Sequence, residues 1–191
     1  VNAGYHLATY LLTKSLDGNA HKYLSFVEEH LSQDSRGSKL GIAFSDDITG
    51  DLTVNTGVFR YSTDHGGKLG VNIRFPVTSN TDDIRKKLEG KANENGFTLT
   101  KYNVSPSHHV DKNHELIKTL QKVYEEQTGQ EANLLSIGGG TYARSLESGV
   151  AFGPLFPGRE DVAHQKDEHI YIEDLLKATA IYAQAIYELA K

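Results

Sequence analysis

A polar stretch late in the chain, VAHQKDEHI, brings His164, Glu168 and His169 close together. Neutral imidazole is a good zinc ligand, and a loop beyond a strand end can aim it without distorting a sheet. A lone loop histidine is more often a surface or structural residue, however, and no metal site is built from one. His169 has Ile170 and Tyr171 as neighbours and reads as partly packed. His108 and His109 are adjacent and so point apart, as at a solvated junction, and His65 falls in a Gly-rich turn that reads as exposed. Asp46 and Asp47 precede a hairpin turn, while Asp82 and Asp83 sit at a helix start. All four read as turn and cap residues.

Two further features carry chemistry. The run Gly138, Gly139 and Gly140, followed by Thr141 and Arg144, can expose backbone N–H groups to an anion or let a substrate backbone approach closely. It lacks both the GxGxxG spacing and the Lys-Ser/Thr of a phosphate loop, so a tight strand-to-helix turn is the plain alternative. Arg144 falls about one turn into the following helix, where it either reaches the pocket or pairs with Glu147. Arg74 lies in a stretch of strand-like alternation, with Val71, Ile73 and Phe75 on one face and Asn72 and Arg74 on the other. A guanidinium there suits two-pronged capture of a carboxylate; an exposed surface arginine is the alternative.

The elements that must position these groups follow from periodicity. Residues 133–174 read as strand (134–137), glycine turn, short helix, strand (150–156) ending in Pro157-Gly158, polar loop and final helix. That helix opens with Glu173 and Asp174, acids favoured at the positive end of the helix dipole. An α/β pattern of this kind places ligands at the carboxyl ends of strands, and the segment is expected to form one wall of an active site. Upstream, helices are expected over 2–13, capped by Asn2, and over 20–31, broken by the cluster at Asp34 to Gly37. Strands follow through Ile42 and Phe44, over 52–59 with a bulge at Gly57, and over 69–75. Ser79 or Asn80 caps a helix over 81–95, Gly96 ends it, and another strand is expected over 97–104. The result is an α+β sandwich whose antiparallel sheet has one face covered by helices. A boundary is placed at 105–110, where Pro106 and two histidines interrupt the pattern, before a helix over 111–128 with Gly129 behind it.

Bulk properties narrow the classes. The 191 residues suit one or two domains, and 38% hydrophobic with 24% charged residues describes an ordinary globular protein. A net charge of −5, with acids and bases mixed throughout, argues against a nucleic-acid surface. No apolar run approaches the roughly 18 residues of a membrane helix, and no signal peptide is visible. Cysteine is absent, which excludes disulfides and thiolate metal sites and suits a cytoplasmic setting. The chain opens at Val1 in an already helical pattern and contains no Met, so a piece of a longer protein is expected.

GGGTYAR, then FGPLFPG, then AHQKDEHI before the last helix resemble the C-terminal part of bacterial zinc dipeptidases. These are the Xaa-His or β-Ala-Xaa type, of the aminoacylase, glutamate carboxypeptidase and carnosinase superfamily. VNAGYHLATYL and GVNIRFP match in the same order, so the resemblance covers essentially the whole chain. It implies an α/β catalytic domain with a mostly parallel sheet, present here as its C-terminal part (106–191), and an α+β lid domain with an antiparallel sheet, present as its second part (1–105). It implies two zinc ions per complete subunit, with manganese or cobalt as alternatives, and His164 as a ligand to one of them. It further implies that Arg74 holds the free carboxylate of a dipeptide substrate, that Gly138, Gly139, Gly140 and Thr141 line the pocket, and that Arg144 supports them. The other metal ligands, the general-base glutamate and a lid histidine match segments upstream of Val1, so the 191 residues alone are expected to be inactive. The dipeptidase form implies a monomer. Deacylation of N-acyl amino acids, aminopeptidase action and a non-catalytic peptide-binding fragment stand as alternatives.

Overall fold

The computed structural model describes residues 2–137 and 139–191. The chain divides into two compact units, the first ending at Ser107 and the second running His108–Lys191.

In the first unit, α1 (Ala3–Leu11) starts at Asn2, whose side chain accepts from the Gly4 N–H at 2.9 Å. Helix α2 (Gly18–His30) starts at Asp17, which accepts from the N–H groups of Asn19 and Ala20. Its buried residues Ala20, Tyr23 and Val27 recur at helical spacing and point into the core. Two short strands, β1 (Ser45–Asp46) and β2 (Gly50–Asp51), pair antiparallel. Strands β3 (Thr53–Ser62) and β4 (Gly66–Arg74) form the main hairpin, in register from Thr53 opposite Arg74 to Ser62 opposite Gly66. The register shifts between Thr56 and Val58, so the expected bulge is at Gly57. Helix α3 (Thr81–Glu94) is capped by Asn80, which accepts from Asp82 and Asp83 N–H, and buries Ile84. These elements enclose one core: Ala8, Tyr23, Val27, Leu31, Leu40, Ile42, Leu52, Val54 and Ile84, with Phe59, Tyr61, Leu69, Ile73 and Phe75 packed against it.

Two expected strands of this unit are absent. Leu40 and Ile42 are buried, but by a turn: Gly37 and Gly41 adopt φ of 74° and 72°, and the Asp34 carboxylate accepts from Arg36 and Lys39 N–H. Residues 97–104 have no strand beside them. Phe97 stacks on Phe26 at 4.5 Å between ring centroids, and the Tyr102 hydroxyl donates to the Thr81 carbonyl. Side chains anchor that segment where a ladder was expected.

The second unit packs α4 (Glu115–Thr128) against α5 (Ile172–Leu189) around Leu120, Val123, Phe156, Ala178, Ile181 and Ala185. Helix α4 begins later than the expected 111: the Asp111 side chain makes a turn by accepting from the Asn113 N–H, and His114 serves as the cap. Gly129 ends the helix in the left-handed conformation. Among the described residues no strand forms over 134–137 or 150–156, so the mostly parallel sheet expected for this unit is not made by them. A strand exists only through hydrogen bonds to a neighbour, and the strands described all lie between Ser45 and Arg74 and pair antiparallel. Phe156 is buried against the helices, and Val150 and Phe152 pack there too, whereas Leu135 is 86% exposed. The fold is thus α/β in content with small antiparallel sheets. No helix among the described residues is long and apolar enough to cross a membrane.

Candidate functional site

Phe156 anchors the start of the loop that carries His164. The chain then turns at Pro157-Gly158, with Gly158 at φ 83°, and the Arg159 N–H donates to the Phe156 carbonyl. Asp161 accepts from the Ala163 N–H, and the Gln165 side-chain amide returns to the Asp161 carbonyl at 2.7 Å. These bonds curl the loop so that His164 adopts φ 63° and Asp167 φ 61°. Only one other non-glycine among the described residues, Gln33, has positive φ. A left-handed backbone costs an L-residue roughly 1–2 kcal/mol, so its surroundings must impose it. Here the Glu168 carboxylate accepts the His164 backbone N–H at 3.2 Å. Glu168 therefore shapes the backbone of His164, and the His164 side chain is exposed. The ring of His169 takes a different course: its Nδ1 meets the Asp167 carbonyl at 2.8 Å and its edge meets the Tyr171 ring.

In the glycine segment, Gly138 lies outside the described residues. Gly139 has open space where a Cβ would sit, whereas a Cβ on Gly140 would come within 2.6 Å of the Arg144 guanidinium. Arg144 thus folds back over the turn. The expected short helix is a single 3-10 turn, Tyr142–Ser145, preceded by a half-buried Thr141. No Arg144–Glu147 ion pair forms among the described residues. His108, expected at a solvated junction, is exposed but also contacts the Gly149 carbonyl through Nε2. His109 and His65 are exposed.

Arg74 closes β4 in the first unit, exposed and on the same face as Asn72, while Ile73 and Phe75 turn to the core. The segment behind it is pinned by Asp46, whose carboxylate accepts from Thr49 N–H and hydroxyl and from Thr78 N–H and hydroxyl. Thr49 in turn accepts the Val77 N–H. The Thr49 N–H above all, with the Thr78 groups, holds the Asp46 carboxyl well below the usual carboxylate range. Asp46 is the turn residue its sequence context implies, and Asp82 and Asp83 occupy the first turn of α3.

Sequence reasoning missed Arg159. Its Nε donates to Asp174 Oδ2 at 2.7 Å and its Nη2 to Asp174 Oδ1 at 3.2 Å; a further bond reaches Glu173, and the guanidinium lies 4.2 Å from the centroid of the Tyr171 ring. The bond to Asp174, then that to Glu173, raises the Arg159 pKa. The only available signal was an arginine in GRED well ahead of the acid pair that opens α5, a spacing no periodicity reports.

Among the described residues no three His, Cys, Asp or Glu side chains are placed to share an ion; the exposed imidazole of His164 is chemically able to offer one donor.

Residues 7–188 match the profile of Peptidase family M20/M25/M40, and the chain belongs to this family. It is 54% identical over 191 residues to a Bacillus subtilis (strain 168) protein described as "Putative dipeptidase YtjP", covering 100% of this chain and 41% of that protein. It is 42% identical over 189 residues to a "Putative dipeptidase" of Staphylococcus epidermidis, covering 99% of this chain and 40% of the relative. Similarity to "Putative dipeptidase SSP1012" of Staphylococcus saprophyticus is 38% over 189 residues, with coverage of 99% and 40%. The chain therefore spans about two fifths of the length of the curated relatives it matches.

Proposed function

We propose that the complete protein hydrolyses dipeptides ending in a free carboxylate, at a two-zinc centre to which this chain contributes one ligand, His164. The match of residues 7–188 to the peptidase family carries this reading, and the dipeptidase descriptions of relatives up to 54% identical support the substrate class. Zinc, or manganese or cobalt in its place, would supply a Lewis acid and an acidified water. The remaining ligands, the general base and a histidine facing the reacting carbonyl belong to polypeptide outside these residues. With one donor, the 191 residues alone are inactive.

What this chain's own residues do follows from their chemistry. Arg74, exposed and free to present both prongs of its guanidinium, grips the terminal carboxylate and selects substrates that have one. Gly138, Gly139 and Gly140 let the substrate backbone approach closely, Thr141 lines the same pocket, and Arg144 braces the turn. His164 is aimed by the left-handed backbone that Glu168 supports. Residues 1–105 form the second part of a lid, and 106–191 the last part of a catalytic domain. The runs 134–137 and 150–156 enter its mostly parallel sheet once neighbouring strands are present. The protein acts as a cytoplasmic monomer.

The test uses the full-length protein. It should hold about two zinc ions per subunit. Arg74→Ala should lower kcat/KM on a dipeptide by roughly 2–4 kcal/mol in transition-state binding, the cost of breaking a desolvated charge pair, which is about 30- to 1,000-fold. Unchanged kcat/KM would remove Arg74 from the site. Faster turnover of N-acyl amino acids or longer peptides would favour a deacylase or aminopeptidase, and a protein holding none of these metals would favour a binding module.

A further inference from the structure

Asp174 lies in the first turn of α5 and is only 3% exposed. Both its carboxylate oxygens are taken by Arg159, in the two-pronged geometry that guanidinium makes best. Tyr171 covers the guanidinium face, and Glu173 holds its outer edge. These partners lie at opposite ends of one irregular segment. Arg159 enters it just behind the buried Phe156, and Tyr171, Glu173 and Asp174 mark where it joins the helix. His164 sits between. The turns around His164 are local, made by Asp161, Gln165 and Glu168, so they fix the loop's own shape. Nothing in those turns fixes that shape against the helices; the Arg159–Asp174 clamp does, by drawing the two ends of the segment together.

We infer that Arg159, acting with Asp174, is a positioning residue that sets the direction of the His164 imidazole, an inference that rests on His164 being the metal ligand proposed above. Without the clamp the turn can survive, but it swings about Pro157-Gly158, and a ligand displaced by an ångström binds poorly. Outer partners of metal ligands typically account for 10- to 100-fold in metal affinity.

The experiment measures zinc affinity of the full-length protein by chelator competition, with melting temperature alongside. His164→Ala, Arg159→Met, their double variant and Leu52→Ala are compared; the last loosens the core of the first unit, which contains none of the loop's residues. Arg159→Met should weaken the zinc site that His164→Ala weakens by about 10- to 100-fold. The double variant should bind no worse than His164→Ala alone, since a residue acting through His164 has nothing left to position. Leu52→Ala should lower the melting temperature and leave zinc affinity as in the wild type. Wild-type affinity in Arg159→Met, or additive losses in the double variant, would overturn the inference while leaving the ligand role of His164 standing. Unaltered zinc binding in His164→Ala would overturn that role and the inference with it. If Arg159→Met does not fold, Arg159→Lys decides, because it keeps a cation beside Asp174 but loses the fork and the stacking on Tyr171. Weakened zinc binding at an unchanged melting temperature supports the clamp, and wild-type binding overturns it.

Discussion

The first unit buries most of its apolar residues within itself, with a scatter such as Leu7, Tyr10 and Ile48 left exposed: helices α1, α2 and α3 and the β3–β4 hairpin share one core, and Val27 and Leu52 are wholly inaccessible. The second unit has a smaller core between two helices and leaves large apolar side chains in solvent, among them Leu134, Leu135, Ile137, Leu146 and Leu155. Helix α5 makes the contrast plainest. One side carries Asp174, Ala178, Ile181 and Ala185 into the core, while Ile172, Leu175, Leu176, Ile186 and Tyr187 lie exposed elsewhere on it. A helix apolar on several sides belongs to the interior of something larger, and contiguous exposed apolar surface marks an interface. One unit's pattern is largely satisfied by its own residues and the other's is written for neighbours, in keeping with relatives more than twice as long.

The comparison can be broken most directly by separating the units. Residues 1–107 should unfold in urea with a sharp transition, whereas 108–191 should show a broad one and bind a hydrophobic dye. A sharp transition in the second piece would remove the contrast. Next in size, Leu52→Ala in the first core should cost about 2–5 kcal/mol in chemical denaturation, while Leu135→Ala, at an 86% exposed position, should fall within about 0.5 kcal/mol of wild type. A smaller effect sharpens the contrast at helix starts. All three helices of the first unit have a side-chain cap; in the second, His114 caps α4 but Tyr171 makes no such bond for α5. Asn80→Ala should therefore cost about 1 kcal/mol.

The smallest effect is a pH dependence. The folded-state pKa of Asp46 is depressed, so its stabilisation is present above the ordinary carboxylate value of 3.8 and is lost as pH falls toward the folded value. The melting temperature of the wild type should drop more steeply below about pH 4 than that of Asp46→Asn. Parallel curves would show that the carboxylate's charge does not contribute.

Local chemistry was legible in the sequence, and pairing was not. Asn2, Asn80 and Gly129 announced helix ends because caps act on the nearest few backbone groups. The β3–β4 hairpin and its Gly57 bulge were visible because alternation and turn residues are also local. The runs around Ile42, at 97–104, at 134–137 and at 150–156 signalled apolar character alone. Whether such a run becomes a strand depends on a neighbour, and in this chain the first two found side-chain anchors or turns instead. Within the candidate site, the residue types near His164 were readable but its left-handed backbone was not, because that follows from several side chains closing on the loop. The Arg159–Asp174 pair was hidden for the same reason: only folding makes them neighbours.

The extra residue at Gly57 changes which beat of β3 faces inward. Before it, the even-numbered Val54 and Thr56 are buried; after it, the odd-numbered Phe59 and Tyr61 take over, while Leu69 and Ile73 on the opposing strand keep one parity throughout. Removing Gly57 would let the alternation of β3 run unbroken against β4, so both halves would stay in step with their partner. What the deletion would take away is the kink and extra twist in the ribbon that leads to Thr53, opposite Arg74, and the guanidinium would keep its face of the sheet.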